Sequence, residues 1–72
     1  MTPMLIKAAR AGLGWSQEKL AAEASLHPKS VAYWEGRAAS RNRPQSPAVD
    51  RMAEAFARAG LKIEGAAIHF PE

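Results

Sequence analysis

Apolar positions in this chain recur at helical spacing in four stretches, each opened by a capping residue, and after Gly60 the period shortens to two. Thr2-Pro3 offers an N-cap hydroxyl before a proline at the first helical position, where its missing N–H is harmless. The pattern predicts a first helix over about residues 3–11, ended by Gly12 in the left-handed conformation. Ser16 caps a second helix over 17–24, with Glu18 near the positive end of its dipole and Leu20, Ala21 and Ala24 on one face. His27-Pro28 starts a third, which stops at Gly36. Val31 and Trp34 point inward there, and Lys29, Ser30 and Tyr33 are left outside. Residues 36–46 lack periodicity and read as a basic loop. Ser46-Pro47 repeats the cap-plus-proline start. The fourth helix, 47–59, carries Val49, Met52, Ala53, Phe56 and Ala57 as an apolar stripe, leaves Arg58 on its exposed face and terminates at Gly60.

Beyond Gly60, Leu61-Lys62-Ile63-Glu64 and Ala67-Ile68-His69-Phe70 alternate in hydropathy and are separated by Gly65-Ala66, which suits a type II′ turn. In that register Leu61 faces Phe70 and Ile63 faces Ile68, so the large apolar side chains share one face. An isolated hairpin is marginal in water, so its face needs cover from the helical core or from a second hairpin. Leu61, Ile63, Ile68 and Phe70 are therefore candidate dimerisation residues; the alternatives are a hairpin that packs only on its own fourth helix, and a single strand. The expected architecture is mainly α, four helices over residues 1–60 followed by a short C-terminal β-strand or hairpin over 61–72.

At 72 residues the chain makes one domain that buries only about 60% of its unfolded surface, which argues against a deep enzymatic cleft. It has no cysteine, so thiolate metal sites and disulfides are excluded and a reducing cytoplasm is the expected compartment. No apolar run approaches the roughly 20 residues that span a bilayer, and the N-terminus does not read as a leader, so no membrane association is expected. The net charge of +3 is unevenly spread. Residues 1–43 hold seven Lys or Arg against three Glu, and residues 44–72 hold three against four acidic groups. A basic first part attracts phosphate-bearing partners.

Two helices separated by Ser25-Leu26-His27 have the spacing of a helix-turn-helix, in which the second helix projects from the surface while the first lies across its back. Ala21 supplies the small side chain where the helices touch, and Leu26, Val31 and Trp34 the apolar plugs. The pattern Trp15-Ser16-Gln17-Glu18-Lys19-Leu20-Ala21, then Leu26, then Ser30-Val31-Ala32-Tyr33-Trp34-Glu35-Gly36, resembles the phage repressor, Cro and Xre-like family over roughly residues 5–58. That resemblance implies a lambda-repressor-like DNA-binding domain and a transcriptional regulator, in the simplest case a repressor. It further implies binding to double-stranded DNA through the segment 28–35 in the major groove, as a homodimer on a palindromic operator. Family members often carry glycine where Ser25 stands, and a left-handed serine costs about 1 kcal/mol or slightly more.

Side chains on the exposed face of a recognition helix meet base edges, while Arg, Lys and free backbone N–H groups hold phosphates. Lys29 and Tyr33, four apart, are the first base-reading candidates: a lysine donates to guanine O6 or N7, and a tyrosine gives a hydroxyl contact or lays its ring on a thymine methyl. Ser30 lies between them. Competing assignments are a phosphate contact for Lys29 and packing on the basic loop for Tyr33. Trp15 and Trp34 are assigned to the core. For Gln17 the resemblance implies a phosphate contact, and a helix N-terminus favours one. Pro28 has no donor to offer. His27 is either structural or a phosphate or base contact when protonated. In the related fold the loop after the recognition helix follows the backbone toward the minor groove, which assigns Arg37, Arg41 and Arg43 to phosphates or a narrow minor groove, against the alternative of a solvated loop. Arg10 and Glu35 match positions that form a partly buried ion pair in some members.

No enzyme is expected. The two histidines, His27 and His69, have no metal-ligand spacing, and no nucleophile or phosphate-cradling glycine loop stands in a recognisable motif, so neither metal nor cofactor is expected. Alternative readings are four capped helices with a solvated loop, and an antitoxin or interaction adaptor that binds a toxin protein and autoregulates its own promoter.

Overall fold

A computed structural model describes residues 2–36, 46–65 and 67–71. Four helices precede a two-stranded antiparallel hairpin: α1 (Pro3–Gly12), α2 (Gln17–Glu23), α3 (Pro28–Glu35), α4 (Pro47–Arg58), β1 (Lys62–Glu64) and β2 (Ala67–His69). Arg37, Arg41 and Arg43 lie outside the described residues.

Every helix starts on a side-chain cap that satisfies one of its orphan N–H groups. Thr2 Oγ1 accepts from Leu5, Ser16 Oγ from Lys19, His27 Nδ1 from Lys29 and Ser46 Oγ from Ala48, at 3.0–3.3 Å. Proline follows three of these caps at the start of α1, α3 and α4.

Three helices end in one and the same way. The amides of Trp15, Leu26 and Leu61 reach back to the carbonyls of Arg10, Ala21 and Phe56, and those of Gly14, Ser25 and Gly60 to Ala11, Ala22 and Ala57. These are Schellman endings, which need a left-handed residue and favour an apolar residue directly after it. Gly14, Ser25 and Gly60 have φ of +71°, +56° and +89°, and Trp15, Leu26 and Leu61 follow them into or against the core. The left-handed end of α1 is thus Gly14, two residues beyond the expected Gly12, which remains helical. Gly12 has a different reason to be small: a Cβ there would collide with the ring of Phe70 from the hairpin.

Ile6 and Ala9 of α1, Leu20, Ala21 and Ala24 of the second helix and its cap, Val31, the α4 residues Val49, Met52, Ala55 and Phe56, and Leu61 form the core. The α4 stripe is turned from the expected one, with Ala55 buried and Ala57 exposed. Trp15 and Trp34 pack against this core from its margin, partly buried, with Trp15 stacked on Phe56 at 6.0 Å and Trp34 edge-on to Tyr33 at 5.1 Å. Arg58 is exposed as expected, but it also donates to the Glu23 carbonyl at 2.6 Å and so ties α4 to the C-terminal end of α2.

The hairpin register pairs Lys62 with His69, Ile63 with Ile68 and Glu64 with Ala67, as the alternation predicts. Gly65 supplies a left-handed turn position at φ +59°. Leu61 is a core residue at 7% exposure, and Ile63 and Ile68 are half-buried against the core, whereas Phe70 keeps 45% of its surface. This chain's own core thus covers Leu61 almost fully and Ile63 and Ile68 in part, and leaves Phe70 the most open of the four. No helix among the described residues is long and apolar enough to cross a membrane.

Candidate nucleic-acid interface

α3 follows α2 after four residues, Ala24 to His27, and two different devices hold it at its two ends. At its start the His27 ring folds back so that Nδ1 accepts the Lys29 amide at 3.1 Å. An imidazole accepting at Nδ1 carries its proton on Nε2, which leaves a donor on the outside of the helix N-terminus. Pro28 then enters the first turn without an amide to satisfy.

At the far end of α3 the carboxylate of Glu35 is clamped. Arg10 Nε donates to Oε2 at 2.7 Å and Arg10 Nη2 to Oε1 at 3.0 Å, a two-bond fork joining α1 to α3. Arg10 Nη1 donates to the Trp15 carbonyl at 2.7 Å, and Gln17 Nε2 adds a third bond to Glu35 at 3.3 Å. The Glu35 side chain is 4% exposed and that of Arg10 17%. A charge so deeply placed is tolerable because its oxygens are all met, and no buried side-chain nitrogen or oxygen is left without a partner among the described residues. The same cluster therefore links α1, the α1–α2 turn, the first residue of α2 and the last of α3.

Between these ends, Val31 is fully buried and Trp34 half-buried, while Lys29, Ala32 and Tyr33 are exposed and Ser30 is half-buried. Tyr33 keeps 55% of its surface with its ring propped on Trp34. The structure thus brings Lys29, Ser30 and Tyr33 onto the outer side of one short helix, with His27 at its head. Gln17 stands at the start of α2 with one N–H of its side-chain amide engaged by Glu35, which leaves the second N–H and the first backbone N–H groups of the helix as donors there. Sequence reasoning placed the start of α3 at His27, where the ring proves to be the cap, but it missed the Gln17 link, the Arg10 bond to the Trp15 carbonyl and the Arg58 brace, which have no local signal.

Among the described residues no group of His, Asp or Glu is arranged to hold a metal ion. No protein-family model and no curated protein sequence matches this chain.

Proposed function

We propose that the protein binds double-stranded DNA sequence-specifically and regulates transcription, with α3 in the major groove. The observation that carries this reading is the contrast across α3: a polar outer side with Lys29 and Tyr33 exposed and Ser30 half-buried beside them, and a back held by Val31 and the Arg10–Glu35 fork. Base reading requires side chains held on a rigid element, because a donor misplaced by an ångström loses its discrimination. Lys29 and Tyr33 read base edges, Ser30 assists, and His27 Nε2–H and the first amides of α2 beside Gln17 contact phosphates. The basic residues Arg37, Arg41 and Arg43 add sequence-independent attraction. Two copies acting together place two recognition helices about 34 Å apart on the halves of a palindrome. Repression is the simplest regulatory outcome, by occupying a promoter.

Fluorescence anisotropy of the full chain with labelled random-sequence duplex, over a range of salt, tests the electrostatic half of this reading. Affinity is expected to fall steeply with salt, and Arg41→Ala to lower the log–log slope by about 0.9. Binding that stays undetectable at low salt would overturn the proposal.

A further inference from the structure

The exposed side of α3 is divided lengthwise. Pro28 and Ala32, one turn apart, form one exposed row, and Lys29 and Tyr33 form the next. The second row carries an ammonium and a hydroxyl. The side chains of the first carry neither a donor nor an acceptor. The backbone does not make up for this. A helix start ordinarily has free N–H groups to offer an anion or an acceptor. In the leading turn of α3 they are taken: Pro28 has none, the Lys29 amide donates to His27 Nδ1 at 3.1 Å, and the Ser30 amide donates to the His27 carbonyl at 2.9 Å. Whatever lies against Pro28 and Ala32 therefore meets carbon.

The base edges of a major groove are polar almost everywhere. Guanine O6 and N7, the adenine N6 amino group or the cytosine N4 amino group would lose water against this row and gain no bond in exchange. The one apolar group that a base presents there is a methyl at C5 of a pyrimidine. Side chains one turn apart are separated by about 5–6 Å, and successive bases rise by about 3.4 Å, so the row covers about one or two base steps. Ala32 is also three residues from Lys29, which sets those steps next to the base within reach of the lysine.

We infer that the Pro28–Ala32 row reads a pyrimidine C5 methyl group, next to the base that Lys29 contacts. This deepens the proposed function and rests on it. The methyl fills the space between the proline ring and the alanine Cβ, and it excludes water from a surface that has no use for it. Thymine and 5-methylcytosine are the two sources of such a group. Burying one methyl contributes about fourfold in affinity at room temperature. The two rows thus divide the recognition, hydrogen bonding to Lys29 and Tyr33 and apolar contact to Pro28 and Ala32.

The test uses the full chain and the duplex it selects from a random pool. Each thymine of the motif is replaced in turn by deoxyuridine, which removes the methyl and keeps every hydrogen-bonding group, and affinities are compared by competition anisotropy. At least one such replacement is expected to weaken binding about fourfold. Ala32→Gly and Pro28→Ser, checked for folding by circular dichroism, are expected to bring that ratio below about twofold, whereas Lys29→Ala keeps it. Pro28→Ser decides the matter if the glycine variant does not fold. Placing C·G and 5-methylcytosine·G at the same position separates the two sources: a preference for the methylated base shows that either methyl is read, and equal binding restricts the reading to thymine. A motif without thymine, deoxyuridine without effect at every position, or an effect that both folded variants retain in full would overturn the inference and leave the proposed function standing. Absence of any enriched motif would overturn the two together.

Discussion

The inner and outer sides of α3 are built on opposite principles. The inner side is fully committed: Val31 has no exposed surface, Trp34 packs against the core, and every oxygen of Glu35 is bonded, two of its partners coming from a single guanidinium. The outer side spends little on the fold, with Lys29 and Ala32 exposed and Tyr33 more than half so. A helix of eight residues is too short to be stable alone in water, so its shape comes from the inner side and from its caps. The outer residues are thereby released from structural duty and are available for recognition. If this division holds, substitutions on the inner side change stability and leave sequence preference alone, and substitutions on the outer side do the reverse.

The largest expected effect is on the inner side. Arg10→Ala leaves the Glu35 carboxylate buried with only Gln17 and removes the bond to the Trp15 carbonyl, which is expected to cost about 3–5 kcal/mol, measured by urea or thermal unfolding. Arg51→Ala, on an exposed position of α4, is the proper control and should lie within about 0.5 kcal/mol of the parent. Arg58 is unsuitable as that control because it braces the end of α2. Equal melting temperatures for Arg10→Ala and Arg51→Ala would break the comparison at its inner side.

Next in size come Lys29→Ala and Tyr33→Ala. Each is expected to lose about 1–3 kcal/mol of discrimination at particular base pairs, read from competition binding with single-base operator variants. Unfolding should shift by much less for Lys29→Ala. Tyr33→Ala also gives up the edge contact with Trp34, which adds about 0.5–1.5 kcal/mol of instability.

The His27 cap is a smaller term. His27→Ala should destabilise by about 1 kcal/mol, and His27→Asn should recover most of it, since an asparagine oxygen can accept the Lys29 amide. Equal losses for both variants would show that the ring contributes through something other than its cap. The smallest change runs in the other direction: Ser25→Gly relieves a left-handed serine at φ +56° and should stabilise by up to about 1 kcal/mol, offset in part by the greater freedom of glycine in the unfolded chain.

Features set by adjacent residues were legible in the sequence. Helix starts at Thr2-Pro3, Ser16 and Ser46-Pro47 are local chemistry, and the pairing of Ile63 with Ile68 follows from a period of two around a two-residue turn. Features that depend on distant neighbours were not. Gly12 resembles a helix terminator, yet it is required by the ring of Phe70 at the other end of the chain, while Gly14 performs the termination. Hydropathy could not choose between Ala55 and Ala57, which are chemically identical and flank the stripe of Val49, Met52 and Phe56 on opposite sides. At the candidate interface, exposure of Lys29 and Tyr33 was legible from helical period, but the attachment of the Gln17 amide to Glu35 was not, because it is a contact between residues brought together only by folding.

The central claim is that the outer side of α3 reads bases, and selection of bound duplexes from a random DNA pool tests it most directly, performed in parallel on the unsubstituted protein and on Lys29→Ala. The account predicts an enriched motif for the former, and for the variant a motif relaxed at specific positions with its other positions intact. No enriched motif for the unsubstituted protein, or an identical motif from Lys29→Ala and Tyr33→Ala alike, would contradict it.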